Sequence, residues 1–311
     1  MWAASGRGTD GGSDIVQRMS DRLVHRGPDD AGLWSAPDAA VTFGFRRLSI
    51  NDLSPAGHQP MESSDGRLVV VMNGEIYNFG ELRAAVDDAR PGHSWRGHSD
   101  TEVLVEAIAL WGLEATLARA TGMFAIALWD GRERTLSLAR DRMGKKPMYY
   151  GWVGGSFVFA SELKAIRAHP DFDLAVCPEA LGAFLQLGYV PGTRCIFKGL
   201  HKLRSGHVLR LGAEELRAGL TPPSSAYWDL RAVAHAGLEA QASGAAADPE
   251  EFEALLEQAV RLRMVADVPV GAFLSGGIDS SLVTALMAAA PGGPVLSFGI
   301  GFKDPAWDEA P

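Results

Sequence analysis

Residues 275–281, Ser275-Gly-Gly-Ile-Asp-Ser-Ser281, join an apolar run, Val268-Pro-Val-Gly-Ala-Phe-Leu274, to a helix-like run, Ser281-Leu-Val-Thr-Ala-Leu-Met-Ala-Ala-Ala290. That order is strand, glycine turn, helix start, and it restricts the local fold to one unit of a parallel α/β sheet. The turn presents a row of backbone N–H groups and the positive end of a helix dipole, an arrangement suited to a phosphate. Gly276 and Gly277 let the backbone approach a ligand, and Ser275, Ser280 and Ser281 add hydroxyl donors. No Gly-Lys-Ser/Thr follows, so the Walker-type loop is excluded, and there is no dinucleotide fingerprint. The plain alternative is a strand-to-helix turn capped by Asp279 or Ser280. The flanking pattern favours the phosphate reading.

At 311 residues and 47% hydrophobic, the chain is long enough for about two domains with real cores. Its net charge of -9 argues against a nucleic-acid surface. No apolar run approaches a membrane span and no leader opens the chain, so a soluble cytoplasmic protein without a membrane partner is expected. The two cysteines, Cys177 and Cys195, lack metal-ligand spacing and read as buried thiols. Residues 1–13 have a loop-like composition. After residue 250 there is one strand-helix unit and the next strand, the opening of a domain rather than a finished one.

Residues 14–210 alternate short strands, glycine-rich turns and helices. Strands are expected at 41–45, 68–72, 123–129, 135–139, 148–152 and 156–160, with hairpin turns at Asp130-Gly131 and Gly154-Gly155. Residues 101–111 have helical apolar spacing, with Asp100 placed to cap them. The pattern is a layered α+β domain. Residues 211–249, rich in Ala, Gly, Pro and Ser, read as a linker. An amphipathic helix follows from Pro249 to Met264, with Phe252, Leu255, Leu256 and Ala259 on one face.

Four segments put polar groups in unusual places: His25-Arg-Gly-Pro-Asp-Asp30, Arg46-Arg-Leu-Ser-Ile-Asn51, Asn73-Gly-Glu-Ile-Tyr-Asn78 and His98-Ser-Asp-Thr-Glu102. Singly, each reads as a turn or cap. Together, in order and at comparable spacing, they resemble the glutaminase domain of the glutamine-hydrolysing asparagine synthetases. Ser275–Ser281 resembles the pyrophosphate motif of ATP pyrophosphatases, and its flanks Asp267-Val-Pro-Val-Gly and Leu296-Ser-Phe-Gly-Ile-Gly-Phe302 resemble the same part of those synthetases. Gly97–Leu104, Leu138–Gly151 and Ser156–Ala165 look like bacterial members.

The resemblance implies a four-layer αββα fold of the N-terminal-nucleophile hydrolase type over residues 1–210, its first strand missing. A linker over 211–249 and the truncated start of an α/β adenine-nucleotide α-hydrolase-like domain over 250–311 would follow. It assigns Arg47 to the α-carboxylate of glutamine, Glu75 and Asp100 to its ammonium, and the backbone of Leu48, Ser49, Ile50 and Asn51 to the pocket wall. These types suit a zwitterion, since a guanidinium forks onto a carboxylate and acids receive an ammonium. Amide hydrolysis passes through an oxyanion that needs donors, a task the resemblance gives to Asn73 and the Gly74 N–H.

In this family a cysteine begins the mature chain in an opening strand of the type Cys-Gly-Ile-Ala-Gly, and its thiol attacks the amide. Nothing of that kind precedes His25, and Cys177 and Cys195 lie far from a terminus. Losing an attacking nucleophile costs on the order of 10⁶ in kcat in a serine hydrolase, so this chain is expected not to hydrolyse glutamine. The survival of Arg47, Asn73, Gly74, Glu75 and Asp100 favours a start that lacks the true first strand over genuine loss.

For the second half, the resemblance implies ATP and Mg²⁺. Ser275, Gly276, Gly277, Asp279 and Ser280 would hold pyrophosphate, with Asp279 a contact for Mg²⁺, and Phe273 and Ile300 would frame adenine. The small-molecule partners are then glutamine, aspartate and ATP, and the resemblance leaves room for a homodimer. The implied activity is ATP-dependent amidation of aspartate through an aspartyl adenylate. The alternatives are a β-lactam-synthetase-like amide-forming enzyme and a non-catalytic glutamine- or nucleotide-binding remnant.

Overall fold

The structure is a computed structural model that describes residues 2–5, 12–36, 41–244, 248–290 and 294–301. It divides into two compact units, residues 1–233 and 234–311.

The first unit contains two six-stranded sheets among the described residues. One runs from edge to edge as Leu200–Lys202, Tyr149–Val153, Ser156–Ala160, Trp2–Ser5, Thr42–Arg47 and Asp30–Ser35. The other runs as Ser225–Ala226, His207–Gly212, Thr135–Arg140, Gly122–Asp130, Leu68–Ile76 and Met61–Glu62. Every pairing within these two sheets is antiparallel. The apolar strands explain the layering. Along Leu68–Ile76, Val69 and Val71 face Phe43, Phe157 and Phe159 in the core between the sheets, while Leu68, Val70 and Met72 face Leu104, Ile108 and Leu117. Alternation along a strand sends neighbours to opposite faces, so a strand buried on both faces reads as continuously apolar. A third core sets Val16, Met19 and Leu23 of the helix Gly12–Asp21 and its exit against Val158, Ala160 and Ile166. Three cores separate four layers: helix, sheet, sheet, helix.

Several expectations change. Leu68–Ile76 runs past residue 72, so Asn73, Gly74 and Glu75 lie within the strand. Within the stretch read as loop-like, Trp2–Ser5 pairs with Thr42–Gly44 on one side and Phe157–Ala160 on the other, at the centre of its sheet. Four residues of weak strand character are recruited by two open edges, a tertiary effect stronger than local propensity. Residues 6–11 and 302–311 lie outside the described residues. The stretch 211–249 is not a bare linker, since it carries helices at Ala213–Ala218 and Leu230–Ala242 and a short strand at Ser225–Ala226. Alanine, leucine and glutamate there favour helix over coil. Asp100 does not cap the next helix: Ser99 does, accepting the Glu102 N–H at 3.2 Å. Gly154-Gly155 is the expected two-residue hairpin, because Val153 pairs with Ser156.

In the second unit the helix Pro249–Leu262 is capped by Asp248, which accepts the Glu250 N–H at 2.9 Å. Strand Gly271–Phe273 pairs in parallel with Leu296–Phe298, and helix Ile278–Ala289 connects them. Among the described residues no helix is long and apolar enough to cross a membrane.

Candidate functional site

Strand Thr42–Arg47 ends on Arg47, whose guanidinium is buried and turns back onto the loop that follows. It donates to the carbonyls of Ser54 at 3.1 Å and Asn51 at 3.2 Å, and also to that of Asp52. These bonds use three of its five N–H groups. The loop is held from its far side by the buried Asp52 carboxylate, which accepts from Ser54 and from the His98 N–H at 2.8 Å. Those bonds keep the Asp52 carboxyl below the usual carboxylate range even though its burial, the largest influence, opposes them.

The strand Leu68–Ile76 supplies the facing wall. Gly74 has φ +150°, and a Cβ there would sit 1.9 Å from the Met123 carbonyl oxygen, so no side chain is admitted. Asn73 donates its side-chain amide to the Ser161 hydroxyl at 3.1 Å. Helix Asp100–Trp111 brings Asp100, which accepts the Ile76 N–H at 2.8 Å. Burial first, and then the nearby Glu75 charge, raise the Asp100 carboxyl to about 6 against the opposing Ile76 bond. Burial also raises Glu75, while the Lys146 ammonium holds it down.

These elements enclose a cavity of about 190 Å³, below the roughly 300–1,000 Å³ of drug-sized ligand sites. It is a space for a metabolite of amino-acid size. Arg47, Leu48, Ile50, Asn51, Asn73, Gly74, Glu75 and Asp100 all line it. Ser49 does not; its N–H goes to the Asp29 carboxylate at 2.8 Å. Arg26, from the segment His25–Asp30, also lines the cavity, as do residues given no role from sequence, Gln59, Lys146 and Ser161 among them. Arg26 pairs with Glu162 at 2.9 Å. Gln59 accepts the Met72 N–H at 2.7 Å and donates to the Thr101 hydroxyl at 3.0 Å, bracing the cavity floor. Lys146 and Ser161 follow strands, and nothing local in their sequence marks them.

In the second unit, Phe273 ends a strand and Gly277 occupies the N-cap of Ile278–Ala289 without a side-chain cap. Neither Asp279 nor Ser280 takes the cap, so no capping side chain satisfies the first-turn N–H groups. Gly276 turns the chain with φ +85°. The Ser275 and Ser280 hydroxyls lie 3.2 Å apart, and Ser280 donates to the Gly277 carbonyl at 3.1 Å. Phe273 is 85% and Ile300 75% exposed, so both apolar side chains are bare. Among the described residues no cluster of three metal-ligating side chains occurs.

The two packed sheets with outer helices, closed around a cavity lined by charged side chains, define the N-terminal-nucleophile hydrolase fold of the glutamine amidotransferases. Two solved structures share it: glutamine phosphoribosylpyrophosphate amidotransferase from B. subtilis complexed with ADP and GMP, and the allosteric regulatory enzyme of purine biosynthesis. The first aligns at TM-score 0.53 and 17% identity, over 73% of this chain and 49% of that one. The second aligns at 0.54 and 18%, over 73% and 48%. At these identities the likeness is one of fold.

The chain belongs to the glutamine amidotransferase domain family, whose model matches residues 3–228, and residues 251–311 match the asparagine synthase family model. It is 38% identical over 277 residues to asparagine synthetase [glutamine-hydrolyzing] 3 of Bacillus subtilis (strain 168), covering 88% of this chain and 42% of that protein. A putative asparagine synthetase [glutamine-hydrolyzing] of Mycobacterium tuberculosis (strain ATCC 25618 / H37Rv) is 38% identical over 319 residues, covering 99% and 47%. The chain thus spans less than half the length of these relatives.

Proposed function

We propose that the chain carries the glutamine-handling half and the opening of the synthetase half of an asparagine-synthetase-type enzyme, which joins nitrogen from glutamine to an ATP-activated carboxylate such as aspartate. The observation that carries this reading is the convergence of Arg47, Asn73, Gly74, Glu75 and Asp100 on one cavity of amino-acid size. In it, the two uncommitted N–H groups of Arg47 receive the α-carboxylate, Glu75 and Asp100 receive the ammonium, and Asn73 and Gly74 face the side-chain amide. The glutamine-handling part extends through residue 228 rather than 210, an extent supported by the Tyr227 hydroxyl donating to the Arg140 carbonyl at 2.9 Å.

ATP fits the second unit. Its pyrophosphate would lie on Ser275, Gly276, Gly277, Asp279 and Ser280, and its adenine against Phe273 and Ile300. Mg²⁺ would be held through Asp279 and the phosphates, since this ion commonly takes one or two carboxylates with the substrate supplying the rest. When bound, ATP supplies the adenylyl group that activates the acceptor carboxylate.

A second reading concerns hydrolysis. The first pairing position of the opening strand, where the family carries its nucleophilic cysteine, is Trp2 in this chain. An indole does not attack an amide, so the cavity binds glutamine without cleaving it. Calorimetric titration of glutamine into the purified chain tests the site: the expected result is one-site binding that Arg47→Ala abolishes. Equal heats from both proteins, or none from the unaltered chain, overturn it.

A further inference from the structure

We propose that Lys146 is a positioning residue of the cavity: a locked loop delivers its ammonium towards Glu75, where it organises that carboxylate for the ammonium of a bound α-amino acid. This rests on the amino-acid reading above. The loop lies between strands Thr135–Arg140 and Tyr149–Val153. At its start the buried Asp141 carboxylate accepts the N–H groups of Met143 at 3.1 Å, Lys145 at 2.8 Å and Lys146 at 2.9 Å. From the other side the Arg140 guanidinium donates to the carbonyls of Gly144 at 2.8 Å, Lys146 at 2.8 Å and Leu203 at 2.7 Å. The N–H and C=O of Lys146 are therefore both held by neighbouring side chains. Of the adjacent pair, Lys145 is exposed, while Lys146 is half-buried and lines the cavity.

Neither the Lys146 ammonium nor the Glu75 carboxylate makes a hydrogen bond or ion pair among the described residues, although each feels the other's charge. Burial alone disfavours the charged form of both groups. Their mutual attraction opposes that, and with the Lys146 backbone held by Asp141 and Arg140 the two form no direct ion pair, which leaves the Glu75 carboxylate to a cation. The other charged groups around the cavity each have a protein partner: Arg26 has Glu162, Arg46 has Asp21, Arg47 has the carbonyls of Asn51, Asp52 and Ser54 with two N–H groups to spare, and Asp100 has the Ile76 N–H. Lys146 thus tunes Glu75, and through it the pH range over which an ammonium is held.

The test uses the full chain and its Lys146→Met and Lys146→Arg variants. Glu75 is titrated by carboxyl carbon NMR without ligand, its signal assigned through Glu75→Gln, and glutamine binding is measured by calorimetry from pH 5 to pH 8. The Glu75 midpoint should rise by about one unit in Lys146→Met, equivalent to about tenfold in ionisation, and return in Lys146→Arg. Glutamine affinity of Lys146→Met should fall below that of the unaltered chain at the acid end of this range, and the difference should shrink as pH rises and Glu75 ionises. An unchanged Glu75 midpoint, or an equal loss of affinity at every pH as a purely structural loop defect would give, overturns the proposal. A shifted Glu75 midpoint with no glutamine bound by any of the three proteins would support the Lys146–Glu75 coupling and retire the amino-acid reading.

Discussion

The Asp100 carboxylate accepts the Ile76 N–H at 2.8 Å, tying the first turn of helix Asp100–Trp111 to the end of the strand that carries Asn73, Gly74 and Glu75. Gln59 makes a second tie, to Met72 on the strand and Thr101 on the helix. Between them these two side chains fix the register of the strand wall against the helix. That register keeps two carboxylates, Glu75 and Asp100, in one cavity.

Confinement has a consequence for stability. The Asp100 carboxyl titrates at about 6, above its ordinary 3.8, so the folded state holds this proton more tightly than the unfolded chain does. The stabilisation is complete below pH 4 and is lost as pH rises through 6, at most roughly 3 kcal/mol from this group. Asp100→Asn keeps an acceptor for the Ile76 N–H and removes the titration. Urea unfolding should show the variant gaining on the unaltered chain between pH 4 and pH 7. A difference that stays constant with pH would exclude Asp100 as the titrating group.

Gly57 tests Arg47 without changing it. A Cβ at Gly57 would lie 1.8 Å from the Arg47 Nη2, so Gly57→Ala must displace the guanidinium. A displaced charge-assisted bond is worth about 1.5–3 kcal/mol, so glutamine affinity should fall at least tenfold by calorimetry. Unfolding midpoints should fall too, because the displaced guanidinium also gives up its bonds to the Asn51, Asp52 and Ser54 carbonyls, so binding is compared at a temperature where both proteins are folded. Unaltered binding would place the α-carboxylate elsewhere.

Backbone geometry separates two glycines. Gly74 has φ +150° and no room for a Cβ, whereas Gly182, inside helix Pro178–Leu187, has open space around it. Gly74→Ala should destabilise by roughly 2–4 kcal/mol, and Gly182→Ala should stabilise by about 0.5–1 kcal/mol. Thermal denaturation of both variants decides. Similar effects from the two would mean that the strand around Gly74 can relax.

The sequence makes some of this legible and hides the rest for identifiable reasons. Leu68–Met72 and Met123–Trp129 are readable as strands because burial on both faces leaves an uninterrupted apolar run. Arg47, Asn73, Gly74, Glu75 and Asp100 are readable only as a set, since each alone is an ordinary turn or cap. Ser99 and Asp100 are adjacent and both can cap, so only the coordinates distinguish the cap from the residue that reaches Ile76. Lys146 is silent because its role depends on Asp141 and Arg140 folding a loop back on itself. Trp2–Ser5 is silent because its partners, Thr42–Gly44 and Phe157–Ala160, lie far along the chain.

That strand leads to the last prediction. Trp2 pairs with Gly44 on one side and Ala160 on the other, and the next residues on those two neighbours, Phe45 and Ser161, line the cavity. Residue 2 therefore stands at the cavity end of a central strand, and Ser161, one residue past its partner Ala160, accepts the Asn73 amide. Trp2→Cys, prepared with Met1 removed, places a thiol and a free α-amino group at that point. A thiol near its own amine can form the nucleophile that the amide needs, while Asn73 and Gly74 await the oxyanion. Ammonia release from glutamine should appear in Trp2→Cys and stay at background in the unaltered chain. Adding Arg47→Ala to the cysteine variant should remove the release again. A folded Trp2→Cys protein that binds glutamine in calorimetry yet yields no ammonia would mean that the strand does not aim residue 2 at the bound amide, and the assignment of Trp2 to the nucleophile position would fall.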